Sequence, residues 1–186
     1  MDTPRYQSHY CEENIWHLCE SFPEHEAYVL IIAGEGEGVL FWNQHACEEP
    51  KHPIAWDYHV ILIVNAGIWL VYDFDSTLPC PIELEDYLAG TFVDLPDEYA
   101  EFAPRFRLLP AAEYRSTLNT DRSHMRTEDG GWHAPPPEWP PIGEGSNLIQ
   151  LTDMTLADPG EILTLDQLRS RFNQTKDSPC PPDSSP

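Results

Sequence analysis

A thiol, an imidazole and a carboxylate, Cys11, His59 and Asp73, have the types and spacing in this 186-residue sequence to form one reactive unit. Cys11, Ile15, Leu18, Cys19 and Phe22 recur at the spacing of one helix face, which puts Cys11 at the start of an amphipathic helix. A thiol there feels the positive end of the helix dipole and gains thiolate character. Glu12 and Glu13 in the same turn oppose that charge, so the dipole alone is insufficient and a protonated His is needed beside the sulfur. His59 lies in the apolar run Trp56 to Val64 (WDYHVILIV) and Asp73 in Ile68 to Asp75 (IWLVYDFD), joined by Asn65-Ala66-Gly67. A three-residue loop ending in a left-handed Gly closes a hairpin in which Val64 pairs with Ile68. His59 then sits directly opposite Asp73, with Cβ atoms about 5 Å apart. A loop of Ala66 and Gly67 alone would put the two on opposite faces. Together the three side chains make a nucleophile, its base and the acid that orients the base.

Each member also has a plainer reading. A buried thiol is a small hydrophobe, and a lone buried His beside an Asp is more often a satisfied core pair than a base. Asp75 shares the strand face of Asp73 but lies nearer the strand end and opposite Asp57. His124, in the polar segment Asp121 to Met125 (DRSHM), fits a structural hydrogen-bond network or a substrate-positioning role. Cys19, two turns beyond Cys11, belongs to the core. His9, His17 and Cys19 do not share one helix face, and no second cluster completes a tetrahedral set, so no metal is expected.

These residues require a scaffold. Ala27 to Ala33 (AYVLIIA) and Val39 to Asn43 (VLFWN) read as strand, turn and strand around Gly-Glu-Gly-Glu-Gly. Ile82 to Leu88 reads as a short helix, Arg105 to Leu109 as a strand, Ala111 to Leu118 as a helix, and Thr164 to Phe172 as a helix capped by Thr164. The pattern is α+β with a mainly antiparallel sheet flanked by helices. Ala134 to Pro141 (APPPEWPP) carries apolar anchors in Trp132, Trp139 and Ile142, which suggests an ordered polyproline loop. Thr175 to Pro186 lacks any large apolar residue and is expected to be disordered. The organisation is one catalytic domain over 1–174 and a tail over 175–186.

Ten Lys and Arg against 32 Asp and Glu give a net charge of −22, which repels phosphate backbones and anionic lipid heads. Neither nucleic acid nor membrane is an expected partner. A hydrophobic fraction of 41% supports a packed core, and the longest apolar runs are too short to span a bilayer. With no signal stretch before Tyr10, the expected compartment is the cytoplasm, with the nucleus as a second site. Five cysteines without a CxxC read as free thiols.

The segments Tyr10-Cys11-Glu12-Glu13-Asn14-Ile15-Trp16, Trp56-Asp57-Tyr58-His59-Val60, Val71-Tyr72-Asp73-Phe74-Asp75 and Asp121-Arg122-Ser123-His124-Met125 resemble, in order and spacing, the protein N-terminal glutamine amidohydrolase family. The resemblance covers about Tyr10 to Phe172, departing between Gly34 and Pro53 and in the tail. It implies an α/β/α sandwich related to transglutaminases and papain-like thiol enzymes. The implied activity converts an N-terminal glutamine to glutamate with release of ammonia, feeding arginylation in the N-degron pathway. It puts the family's Cys, His and Asp on Cys11, His59 and Asp73, with no cofactor. The implied partners are proteins or peptides with a free N-terminal Gln, met by a monomer. The backbone N–H of Cys11 is the expected oxyanion donor. Two other classes stay open. One is an acidic interaction module in which Pro137-Glu138-Trp139-Pro140 is a PxxP-type ligand and Cys11 is inert. The other is a thiol acyltransferase or protease with the same triad.

Overall fold

In the computed structural model, which describes residues 4–36, 38–49 and 52–173, the most apolar runs become strands β1 (Ala27–Ala33) and β4 (Tyr58–Asn65). They pair antiparallel, with Ile32 beside His59. Neither alternates polar with apolar because both of their faces are buried. Leu30, Ile32, Ile61 and Ile63 join one core; Val29, Ile31, Val60, Leu62 and Val64 join the other. Each such side chain contributes roughly 1.5–3 kcal/mol by leaving water. The expected tail, Thr175 to Pro186, lies outside the described residues.

Four more strands extend this pair: β5 (Trp69–Tyr72), β6 (Ile82–Glu83), β7 (Arg105–Pro110) and β8 (Glu161–Thr164). The sheet order is β6-β5-β4-β1-β7-β8, antiparallel throughout. Helices α1 (Cys11–Leu18), α3 (Ala111–Thr117) and α4 (Leu148–Thr152) bury Ile15, Tyr114 and Leu151 on one face of the sheet. On the other face, α2 (Leu84–Thr91) and α5 (Leu165–Asn173) bury Tyr87, Leu88, Leu168 and Phe172. The expected α+β class with a mainly antiparallel sheet and helices is what the chain forms.

Several expectations need correction. Val39–Phe41 does not fold back on β1. It is β2, paired with β3 (Ile54–Trp56) in a separate two-stranded sheet. The run from Trp56 to Val64 is broken at Asp57, which lies between β3 and β4. The helix expected from Ile82 starts at Leu84, because Ile82 pairs with Val71 in the sheet. The first helix ends at Leu18 and tightens into a 3-10 turn, Cys19–Ser21, before Phe22. Strand β8 went unforeseen. Thr164 does cap α5: its Oγ1 accepts the Gln167 N–H at 3.2 Å while Gln167 Oε1 accepts the Thr164 N–H at 2.8 Å, a reciprocal capping box.

The register of β4 and β5 also differs. Val64 pairs with Leu70, not Ile68, and Asn65 pairs with Trp69. The loop is Ala66-Gly67-Ile68, with Gly67 in second place at φ +90°. Asn65 Oδ1 accepts the Gly67 N–H at 3.0 Å, so Asn65 turns the chain while staying in the ladder. The slip is two residues, an even number, so every side chain keeps its face. Asp73 is not opposite His59; it lies just past the last pair, Leu62 with Tyr72.

Arg107 on β7 is fully buried and, among the described residues, has no carboxylate within hydrogen-bond distance. Its guanidinium donates to the carbonyls of Leu151 at 2.7 Å, Pro159 at 2.5 Å, Asp153 at 2.7 Å and Leu156 at 3.0 Å. That gathers the segment between α4 and β8 around one side chain.

Candidate active site

The turn before α1 sets Cys11 in place. Asn14 reaches back so that its side chain accepts the Gln7 N–H at 2.8 Å and donates to the Gln7 carbonyl at 2.9 Å. Tyr10, fully buried, supplies the carbonyl that receives the N–H groups of Glu13 and Asn14 at 3.1 and 3.0 Å. Cys11 is therefore the first helical residue, and its own N–H has no acceptor inside the helix. α1 packs on β4 and brings the thiol to the sheet end where His59 stands.

His59 and Asp73 share the face that carries Ile61, Ile63 and Val71, and despite the shifted register His59 Nε2 meets Asp73 Oδ1 at 2.8 Å. The other carboxylate oxygen accepts from Tyr87 Oη at 2.8 Å and from Gln44 Nε2 at 3.4 Å, while Oδ1 also takes the Asp75 N–H at 3.0 Å. Asp73 is thus held by α2 and by the chain after β5 rather than by the ladder. Trp56 stacks on the imidazole at 16°, and Phe41 closes its edge at 5.3 Å. With Nε2 given to Asp73, Nδ1 is the ring nitrogen left for Cys11, whose Sγ donates to Glu12 Oε2 at 3.9 Å.

Electrostatics follows this packing. Burial pushes the Cys11 thiol up to about 11, against the pull of the His59 hydrogen bond and charge. The thiolate character expected from the helix dipole is outweighed by desolvation. Burial alone would lower His59, but the charge and hydrogen bond of Asp73 raise it well above the ordinary histidine value. Burial would raise Asp73, yet His59, the Asp75 N–H and Tyr87 hold it below the carboxylate range. Each of the three is shifted in part by a neighbour in the set, so the groups are coupled.

Cys11 and His59 open on a cavity of about 560 Å³, also lined by His9, Trp56, Asp57, Tyr58, Asp75, His124, Met125, His133 and Ile149. Asp75 Oδ1 accepts from the Tyr6 hydroxyl at 2.6 Å. His124 reaches the cavity wall from a 3-10 turn, Ser123–Met125. Cys19 is in the core, its thiol pushed up to about 12 by burial. His9, His17 and Cys19 stay apart: His17 bonds Arg5 at 3.0 Å and packs on Trp16 and Trp139. Among the described residues, His59, Asp73 and Asp75 bring possible ligand atoms within 4.8 Å of one another, but Nε2 and Oδ1 are committed to each other.

Glu12 and Glu13, expected only to oppose a thiolate from the same turn, are both fully buried. Glu13 accepts from Arg122 Nε and Nη2, both at 2.7 Å, and from the Trp139 indole at 2.6 Å. Arg122 also donates to the carbonyls of Pro137 and Trp139, and Tyr10 Oη donates to that of Ala134. The Pro-rich loop is therefore ordered and bound to the start of α1, with Pro137 buried and unavailable as an outward-facing PxxP ligand. Tyr87 and Gln44 were missed as well. The one usable signal was Tyr87, on the apolar face of the helix after Ile82.

Residues 6–172 match the family described as N-terminal glutamine amidase. A Homo sapiens protein named protein N-terminal glutamine amidohydrolase is 36% identical, covering 90% of this chain and 87% of its own length. Proteins of the same name from Bos taurus and Drosophila melanogaster are 35% and 37% identical, each covering 90% of this chain and 86% and 87% of their own lengths.

Proposed function

The chain belongs to the N-terminal glutamine amidase family, and from that premise we propose that it hydrolyses the side-chain amide of an N-terminal glutamine in proteins and peptides, leaving glutamate and ammonia. The observation that carries the reading is the buried line Cys11, His59, Asp73 at the floor of an open cavity. The Cys11 proton passes to His59 Nδ1, and Sγ bonds the carboxamide carbon. The developing oxyanion is met by the Cys11 N–H. The tetrahedral adduct collapses to a γ-thioester as His59 gives its proton to departing ammonia. A water then loses a proton to His59 and its oxygen bonds the thioester carbon. The C–S bond breaks, and Sγ recovers a proton from His59. Asp73 holds the ring tautomer and stabilises the imidazolium in both halves.

The same reading gives the chain the architecture of papain- and transglutaminase-like thiol hydrolases, a monomeric state and a cytoplasmic and nuclear location. It also assigns a role ahead of arginylation in the N-degron pathway. The committed Pro-rich loop weighs against the interaction-module alternative.

The test is to incubate the protein with Gln-initiated, Asn-initiated, N-acetyl-Gln and internal-Gln peptides, and to follow ammonia together with product mass. Only the free N-terminal Gln peptide should be processed well, because Asn is one carbon too short to keep its amide at the thiol. Equal rates on all four, or cleavage of a peptide bond, would overturn the reading in favour of a general thiol acyltransferase or protease.

A further inference from the structure

Asp75 is a carboxylate fixed through its backbone and open on one side. Its N–H donates to Asp73 Oδ1 at 3.0 Å and its carbonyl accepts the His45 N–H at 2.8 Å, so the chain holds it at both ends. Oδ1 accepts from Tyr6 Oη at 2.6 Å, and burial together with Asp75 pushes that phenol up to about 12, which keeps it a donor. Among the described residues, Oδ2 has no hydrogen-bond partner. Glu12 is fully buried and takes no part in the cavity lining, whereas half-buried Asp75 stands in the wall with Cys11 and His59. An oxygen of Asp75 lies within 4.8 Å of a His59 ring nitrogen, but His59 is already paired with Asp73. Among the described residues the wall holds no Lys or Arg, and its other carboxylate, Asp57, is exposed. A fixed anion in a cavity with no cation of its own to balance it suits a cationic ligand.

Resting on the reading of the cavity as a glutamine site, we infer that Asp75 receives the α-ammonium group of the substrate and so restricts the reaction to the first residue of a chain. In glutamine the α-nitrogen and the carboxamide carbon are four bonds apart, about 5 Å when extended. The carboxamide carbon waits about 3–3.5 Å from the sulfur before attack, and an ammonium settles about 2.8 Å from a carboxylate oxygen. Asp75 shares the cavity with Cys11 and is close enough for its charge to act on the thiol, so the length of one residue reaches from the sulfur to Asp75. By holding Oδ1, Tyr6 fixes the carboxylate and leaves Oδ2 for the substrate. The ammonium supplies what that oxygen lacks, a charge-assisted donor. An internal or N-acetylated glutamine presents an uncharged amide nitrogen in its place.

The experiment compares kcat and KM for a Gln-initiated peptide with those for the same peptide capped by 4-carbamoylbutanoyl, which is glutamine without its α-amino group. The wild-type protein should favour the free amine by about 10- to 100-fold in kcat/KM, as expected for one hydrogen bond between charged groups. Asp75→Asn keeps the side-chain shape and both backbone bonds. It should raise KM for the Gln peptide by a similar factor and leave the capped peptide nearly unchanged, so the preference collapses. The capped peptide thus reports on Cys11 and His59 independently of the amine. An Asp75→Asn protein that keeps the preference, or that slows both peptides equally, overturns the assignment, as does a wild-type protein without the preference. Loss of the preference in Asp57→Asn instead of Asp75→Asn overturns it too. If thermal melts show Asp75→Asn unfolded, Tyr6→Phe, which releases Oδ1, replaces it: a larger KM rise for the Gln peptide than for the capped one supports the assignment, and equal rises overturn it. A wild-type protein that releases ammonia from neither peptide overturns the glutamine reading itself, a result separable from failure of the variants.

Discussion

Glu13 and Arg122, 109 residues apart in sequence, face each other through two hydrogen bonds of 2.7 Å with both side chains buried. This pair fastens the first turn of α1 to the DRSHM segment and, through the carbonyls of Pro137 and Trp139, to the Pro-rich loop. Removing one partner leaves the other charged and dry, which costs about 3–5 kcal/mol. Arg122→Ala should therefore lower the unfolding free energy by that amount in urea denaturation. A loss under about 1 kcal/mol would mean that water reaches the pair.

Cys11→Ala should abolish ammonia release while the protein still melts cooperatively, because only the proposed nucleophile is gone. Cys19→Ala, which trims a core side chain, should keep activity and lose on the order of 1 kcal/mol of stability. An active Cys11→Ala protein would remove the covalent route.

Asp73→Asn keeps the shape of the side chain but takes away the charge that orients His59, so kcat should fall by about 10³–10⁴-fold. Tyr87→Phe removes one of several donors to Asp73, and Asp75→Asn touches Tyr6 rather than His59, so both should fall much less. Kinetics beside thermal melts decide the matter: a nearly active Asp73→Asn paired with a dead Asp75→Asn would transfer the orienting role.

Burial pushes the Glu12 carboxyl from 4.5 up to about 7, so between those values the folded chain holds a proton that the unfolded chain has released. That contribution to stability is complete below about pH 4.5 and is lost as pH rises through about 7. Glu12→Gln cannot ionise, and its stability relative to wild type should rise between pH 5 and pH 8 by up to about 3 kcal/mol. Urea melts at both pH values measure it, and a difference independent of pH would show Glu12 ionised throughout.

Face was easier to read from the sequence than position. His59 and Asp73 were expected on one face, and they are, because a slip of two residues preserves parity even though the loop is Ala66-Gly67-Ile68. The slip itself was hidden in the Asn65 side chain, which makes its own turn and stays paired. The partner of β2 could not be found locally, since β3 follows only after a loop longer than a hairpin turn. Four-residue β8 offers too little pattern to distinguish from coil. The burial of Glu13 could not be read from the helix, because helical periodicity sees only near neighbours and the cation that lets Glu13 be buried comes from residue 122.

Arg107 gives the cavity's rim an unusual independence. Four carbonyl oxygens converging on one cation is an arrangement loops often build around calcium, an ion that can dissociate or be chelated. Here the cation is tethered by its own backbone and stays charged across the biological pH range. The segment carrying Ile149 and Thr152 beside the cavity is thus gathered by a cation that belongs to the chain itself.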